Sequence, residues 1–136
     1  MPFWKLHYHL VWATHGREPI INEEAEQLIK RSIWSSARST TIHIHAIGMV
    51  ADHVHVAAAI PPSIAVSEAL RRFKGGTSHA INSGRQSATE FRWQAEYGAL
   101  SLTDRGLPTV IEYVNNQAQR HADGNLIATL GRIEGA

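Results

Sequence analysis

The spacing of apolar and polar residues in the first third of the chain predicts a strand followed by a helix. Residues 3–14 (FWKLHYHLVWAT) are rich in aromatic and β-branched residues and alternate in polarity, which is typical of a strand. After a turn at GREP, apolar residues from Ala25 to Ile33 recur at helical spacing. Asn22 is a suitable N-cap for this helix, which we expect over residues 22–38.

Two strands and a second helix are predicted in the middle of the chain. Residues 40–50 (TTIHIHAIGMV) and 52–60 (DHVHVAAAI) alternate as strands do, and we expect them to join near GMVA. Ser63, in the segment PPS, is a candidate cap for a helix whose apolar stripe begins at Val66. The pair Gly75-Gly76 is expected to weaken or end that helix.

A last strand and a last helix follow a polar loop. Residues 91–103 (FRWQAEYGALSLT) predict a strand in which Gly98 marks a bulge or a close approach. Pro108 suits the first turn of a helix that is expected to run to about His121. The whole chain, residues 1–136, is expected to form one domain, although the tail from about residue 122 has no clear assignment.

The predicted order β-α-β-β-α-β-α fits an α+β ferredoxin-like sandwich, with helices on one face of a four-stranded antiparallel sheet plus a C-terminal helix. Along the first three strands, residues of one parity are mainly apolar and are expected to face the helices. These are Leu6, Tyr8, Leu10, Ile42, Ile44, Ala46, Val54 and Val56. Residues of the other parity include three histidine pairs, which are expected together on the bare face. They are His7, His9, His43, His45, His53 and His55.

Composition narrows the class of protein. A chain of 136 residues with 43% apolar and 18% charged residues is typical of a globular domain. The absence of cysteine excludes disulfides and thiolate metal sites, and no apolar run is long enough to span a membrane. The N-terminal segment is a poor signal peptide, so we expect a cytoplasmic protein with no membrane partner. A net charge of +1 does not by itself indicate nucleic-acid binding.

Among the histidine pairs, His53/His55 has the context most typical of a metal site. Neutral imidazole is a common metal ligand, and positions i and i+2 of a strand face the same side. Asp52 precedes this pair, and the neighbours are small and apolar. For the other two pairs, a polar and half-solvated strand face is the favoured interpretation. Two histidines supply only half of a metal site, so a further ligand must come from elsewhere.

The last helix offers a candidate ligand. Tyr113 and Gln117 are four residues apart, which places them on the same side of a helix at the edge of its apolar face. Taken alone, a tyrosine packing on the core and a solvated glutamine would be the simpler interpretation. Combined with His53 and His55, a shared site becomes the better one.

The chain resembles the single-tyrosine HUH transposases, single-strand-DNA enzymes of the insertion-sequence 200 type and their REP-associated relatives. The resemblance extends from about Tyr8 to His121. It depends on YHLVWATHGREPII, GMVADHVHVAAAIPP, LRRFKGG, WQAEYGALSLT and VIEYVNNQAQRH, which occur in that order. The histidine pair flanking a valine is weak evidence alone, but followed by tyrosine-x-x-x-glutamine it is fairly specific. The segment ATHGRE differs from the family, which often carries more lysine and arginine there.

The resemblance implies a role for each matching residue. His53 and His55 match the metal-binding histidine pair, Gln117 the third ligand and Tyr113 the nucleophile. The implied activity is a transposase that cleaves and rejoins single-stranded DNA through a 5′-phosphotyrosine. Mg²⁺ or Mn²⁺ is the implied cofactor, and hairpin ends of an element are the implied DNA. Many members are dimers and others are monomers; we expect a homodimer, and leave open whether Tyr113 acts within its own protomer.

Other residues allow more than one interpretation. The basic group near the end of the second helix has two equally good interpretations, DNA phosphate contacts or an ordinary solvated helix end. It consists of Arg71, Arg72 and Lys74. Arg120 is a further candidate contact with DNA. Two other classes of function stay open at this point. The protein could be a non-catalytic nucleic-acid-binding module, or a structural protein that binds metal through its sheet-face histidines.

Overall fold

A computed structural model describes residues 3–84 and 90–117. Four strands form one antiparallel sheet in the order β2-β3-β1-β4, with the element order predicted from the sequence. The strands are β1 (His7–Ala13), β2 (His43–Val50), β3 (His53–Ala59) and β4 (Gly98–Leu102). The helices are α1 (Glu23–Arg38), α2 (Val66–Ser83) and α3 (Leu107–Asn115), with a short 3₁₀ turn at His15–Arg17. The predicted α+β, ferredoxin-like sheet is confirmed.

Helices α1 and α2 cover one face of the sheet and enclose the main core. Leu10, Val54 and Val56 point from the central strands into this core, where Ile29 of α1 and Phe73 of α2 meet them. The predicted cap of α1 is confirmed, because the Asn22 side chain accepts a hydrogen bond from the Ala25 amide at 2.8 Å. These contacts bury the apolar face of the sheet, which leaves the other face to carry the polar residues.

The opposite face carries the histidines and is partly covered by α3. Tyr113 and Val114 of α3 pack on Ala46 and Ala57 in a second, smaller apolar cluster. Ala46 was predicted on the helix-covered side, which is wrong. A register shift between Ile44 and Ala46 moves Ala46 to the histidine face, because an extra residue in a strand reverses the alternation beyond it.

Helix α2 differs from its prediction at both ends. It begins after Ala65 rather than at Ser63, and it continues through Gly75 and Gly76 to Ser83. Packing overrides the low helix propensity of glycine here. A Cβ at Gly76 would lie 3.1 Å from the Ser32 hydroxyl oxygen, so the missing side chain lets α1 and α2 approach closely.

Three other boundaries also differ from expectation. Strand β2 runs through the GMV segment, and the turn to β3 is made by Ala51 and Asp52. Strand β4 is confined to residues 98–102, since residues 91–97 form only one isolated bridge, between Trp93 and Thr14. Helix α3 is described over Leu107–Asn115, and both its expected end near His121 and the tail from residue 122 lie outside the described residues. None of the described helices is long and apolar enough to cross a membrane.

Candidate active site

The two histidines of β3 lie in the centre of the sheet and are fully buried. His53 pairs with Ala13 and His55 with Val11 on β1, while β2 flanks them on the other side. Their ring centroids are 4.9 Å apart. The sequence put these imidazoles on one face by strand alternation, and the structure places them there with 1% or less of each residue exposed.

Each of these histidines uses its Nδ1 atom in a hydrogen bond at the back of the site. His53 Nδ1 lies 2.6 Å from the Asp52 carboxylate, which accepts the bond and is itself 3.4 Å from the Arg17 guanidinium. His55 Nδ1 lies 2.9 Å from Nε2 of His9 on β1. Since Nδ1 is occupied in both rings, Nε2 is the nitrogen of each that is suited to bind an ion.

Helix α3 brings Tyr113 to the histidines within a single protomer. The Tyr113 ring is almost buried and stands edge-on to His55, with centroids 5.7 Å apart. Gly48, the β2 partner of His55, permits this approach. A Cβ at Gly48 would overlap the carbonyl oxygen of Val114, so glycine is required where the helix lies on the strand.

Gln117 follows α3, beyond the cap residue Asn116, and is buried at the same place. A Cβ at Gly48 would lie 3.3 Å from the Gln117 Cβ, which puts the glutamine beside the strand position next to His55. Only 1% of Gln117 is exposed, and within residues 3–84 and 90–117 neither its Oε1 nor its Nε2 has a hydrogen-bond partner. A buried amide in this state is costly unless a further group binds it.

The donor set fits a divalent cation only if Gln117 takes part. No three His, Cys, Asp or Glu side chains in the described part of the chain are arranged to hold a metal ion. Among the described residues, a third ligand beside His53 and His55 would therefore have to be of another residue type. Two imidazole nitrogens and one amide oxygen would leave coordination positions open, as a catalytic site requires.

A second histidine group lies farther along the same face and away from α3's tyrosine. His7 Nδ1 is 3.1 Å from His45 Nε2, and His7 Nε2 is 3.0 Å from the Asp104 carboxylate. Burial, with the neighbouring His43 and His7, lowers the pKa of His45. Burial also lowers the pKa of His9, to about 4, so His9 is neutral at physiological pH. A neutral His9 adds no positive charge beside the two candidate metal ligands.

The candidate DNA contacts of α2 lie on the other side of the sheet from Tyr113. Arg71 and Arg72 both bond the Glu68 carboxylate, at 2.7 and 3.2 Å. Lys74 donates to the backbone carbonyl oxygens of Gln94 and Ala95, and burial lowers its pKa. Lys74 thus holds the segment before β4 in place. Arg120 lies outside the described residues.

An open cavity of about 500 Å³ adjoins this basic group. Its lining residues include Arg71, Lys74, Arg92, Trp93 and Tyr97. It combines cationic side chains with an exposed aromatic ring, since Tyr97 is 42% exposed. Tyr97 falls within the strand predicted over residues 91–103, but the structure places it just before β4 and not in the strand.

Sequence reasoning missed three residues that build the site. His9 was assigned to a polar strand face, yet it is buried against His55. Gly48 was placed in a turn, although a glycine inside a strand is a known sign of close approach. Arg17, whose φ of 56° is rare for a side chain other than glycine, had no signal that linked it to Asp52.

Comparison with known proteins decides the family. The family model described as transposase IS200 like matches residues 2–117. The chain belongs to this family. It is 19% identical over 119 residues to the ISDra2 transposase TnpA of Deinococcus radiodurans, which covers 84% of this chain and 85% of that protein.

Solved structures of transposases share the fold of this IS200-like protein. A putative transposase from Deinococcus radiodurans R1 superimposes with a TM-score of 0.68 at 21% identity, covering 85% of this chain and 93% of the other. A REP-associated tyrosine transposase bound to a REP hairpin gives a TM-score of 0.66 at 16% identity, covering 89% and 72%. At these identities the likeness establishes the architecture.

Proposed function

We propose that this transposase is a metal-dependent, single-strand-DNA transesterase that cleaves and rejoins DNA through a 5′-phosphotyrosine. The observation that carries the proposal is the meeting of Tyr113, His53, His55 and Gln117 on one buried patch of the sheet. The Tyr113 and His55 ring centroids are 5.7 Å apart, and Gln117 is buried beside Gly48, the strand neighbour of His55. Four residues chosen from two distant sequence motifs thus come together in one protomer.

In the proposed reaction, Tyr113 is the nucleophile. Its phenolic oxygen loses a proton and attacks phosphorus, forming the phosphotyrosine bond while the bond between phosphorus and the 3′-oxygen breaks. The leaving oxygen takes a proton and departs as a 3′-hydroxyl. Because the phosphodiester energy is retained in the covalent intermediate, another 3′-hydroxyl can reverse the step and join a new strand. Such chemistry suits transposition better than hydrolysis would.

Three side chains of this chain would hold the divalent ion. They are His53 and His55, through Nε2, and Gln117, through its amide oxygen. When bound, Mg²⁺ or Mn²⁺ would neutralise charge on the phosphate oxygens and help an unperturbed phenol, whose pKa is about 10, to lose its proton. Phosphate transfer with open coordination positions favours these ions over zinc.

Single-stranded DNA with a hairpin end is the proposed substrate. Family membership and the REP hairpin named for one structural relative support it. The net charge of +1 is low, so phosphate contacts must be local. The cavity between α2 and the segment before β4, which is lined by Arg71 and Lys74, is a candidate for holding flanking DNA. Arg72 and Arg120 are further proposed contacts. We also expect a homodimer, although the proposed catalytic groups already meet within one chain.

Covalent capture tests this function. The protein is incubated with labelled single-stranded hairpin DNA and Mn²⁺, and a denaturing gel is used to detect a protein–DNA adduct. We expect an adduct in the wild type, none in Tyr113→Phe, and a wild-type level in the control Tyr97→Phe. Peptide mapping should locate the phosphonucleotide on Tyr113.

The other outcomes identify other functions. An adduct that persists in Tyr113→Phe would overturn the nucleophile assignment. DNA binding without any adduct, on hairpins of varied sequence, would instead support a non-catalytic nucleic-acid-binding module.

A further inference from the structure

One buried polar side chain contacts both parts of the proposed site and is neither ligand nor nucleophile. His9 lies on β1 and is only 3% exposed. Its Nε2 is 2.9 Å from Nδ1 of His55, and its ring stands edge-on to Tyr113 with centroids 6.0 Å apart. A polar ring kept inside a small domain needs such partners, because burying it unpaired would be costly.

The direction of the hydrogen bond between the two imidazoles follows from what His55 must do. Two nitrogens 2.9 Å apart share one proton, so one ring donates and the other accepts. A neutral His55 that binds an ion through Nε2 carries its proton on Nδ1. His55 therefore donates, and Nε2 of His9 accepts. His9 in turn carries its own proton on Nδ1.

We infer that His9 is a positioning residue that fixes the tautomer and the ring orientation of His55, so that Nε2 of His55 faces the ion. This inference rests on the proposed function. It gives the two ligands different supports, since His53 is held by the carboxylate of Asp52 and His55 by a neutral ring.

The different supports match the different surroundings of the two ligands. The Asp52 side chain is 27% exposed and is paired with Arg17, so its negative charge is solvated and balanced. The position of His9 is almost fully buried between the central strands. A carboxylate there would lose its hydration, whereas a neutral imidazole can accept the same hydrogen bond at a much smaller cost.

Three variants separate a positioning role from a merely structural one. His9→Phe keeps a ring of similar shape but removes the acceptor, and His9→Gln replaces it with an amide oxygen that can accept. His7→Phe is the matched control, because it makes the same substitution two residues earlier on the same face without touching a proposed ligand. Thermal unfolding of each variant identifies any that fail to fold.

The first readout is the protonation of His55 in the metal-free protein, measured from its ¹⁵N chemical shifts. We expect Nδ1–H in the wild type, His9→Gln and His7→Phe, and a mixture containing Nε2–H in His9→Phe. Nε2–H on His55 in the wild type would overturn the inference. So would an unchanged tautomer in folded His9→Phe. This readout needs no metal and no DNA.

The second readout is the affinity for Mn²⁺, measured by calorimetry. Loss of a ligand's supporting hydrogen bond weakens metal binding by roughly 10- to 100-fold, which we expect for His9→Phe. His9→Gln should recover most of the affinity, and His7→Phe should keep it. Equal affinities in all four proteins would overturn the inference. A wild type with the expected tautomer but no Mn²⁺ affinity would instead overturn the proposed metal site, and the role of His9 with it.

Discussion

At the scale of single residues, the proposed site depends on the side chains that hold the candidate ligands in place as well as on the candidate ligands themselves. Strand alternation and helical spacing, which are local, made His53, His55, Tyr113 and Gln117 candidates, and the family resemblance gave them their proposed roles. The sequence did not identify His9. A hydrogen bond between residues 46 positions apart depends on strand register, which alternation alone does not determine.

The Asp52 carboxylate offers a residue-scale prediction. Asp52→Ala removes the acceptor that holds Nδ1 of His53 at 2.6 Å, so the ligand loses its fixed orientation. We expect Mn²⁺ affinity, measured by calorimetry, to fall by roughly 10- to 100-fold.

Asp104→Ala is the matched control for this change. Asp104 also bonds a histidine of the same sheet face, His7, at 3.0 Å, but that histidine is not a proposed ligand. Loss of the Asp104 carboxylate should change the Mn²⁺ affinity by no more than about twofold, because an exposed ion pair usually contributes little. If both variants lost the same amount of Mn²⁺ affinity, the effect of Asp52 would come from its negative charge alone and not from its hydrogen bond to His53.

At the scale of elements, the docking of α3 on β2 determines whether Tyr113, the proposed nucleophile, reaches the histidines. Helix α3 itself was predictable, since Pro108 and the apolar spacing mark it. Its contact surface was not, because it depends on the absence of a side chain at Gly48 and on the register shift that turns Ala46 toward the helix.

Gly48→Ala tests this docking. The added methyl group would overlap the Val114 carbonyl oxygen, so α3 must move away from the strand. Overpacking of this kind costs about 1–3 kcal/mol in the free energy of unfolding, measured by urea denaturation. Displacement of the nucleophile by about 1 Å should slow adduct formation by roughly 100-fold.

The matched control is Gly75→Ala, the same substitution in α2 at a position with open space around it. Alanine favours a helix over glycine by about 0.5–1 kcal/mol, so this variant should be slightly more stable and fully active. If Gly48→Ala behaved in the same way, the close contact between α3 and β2 would not be a feature of the working enzyme.

At the scale of the whole molecule, element order and sheet face were predictable because they follow from alternation along four strands and three helices. The prediction failed where tertiary packing, and not the local sequence pattern, determines where a helix or strand ends. Helix α2 passes through two glycines because Gly76 lies against α1, and β4 is shorter than its apolar stretch because residues 91–97 instead lead from α2 to the sheet edge. The fold then places the proposed ligands and the proposed nucleophile on one face of the sheet and the helical core on the other.

The central claim is that a single protomer assembles the complete site, and complementation tests it most directly. Tyr113→Phe and His55→Ala, carrying different tags, are co-expressed so that mixed dimers can form, then assayed for adduct with hairpin DNA and Mn²⁺. Each variant lacks one essential group, so a site built within one chain predicts that neither variant alone nor the mixture forms adduct. Recovery of adduct in the mixture, carried by the tag of the His55→Ala chain, would show that Tyr113 acts on the histidines of a partner and would contradict this account.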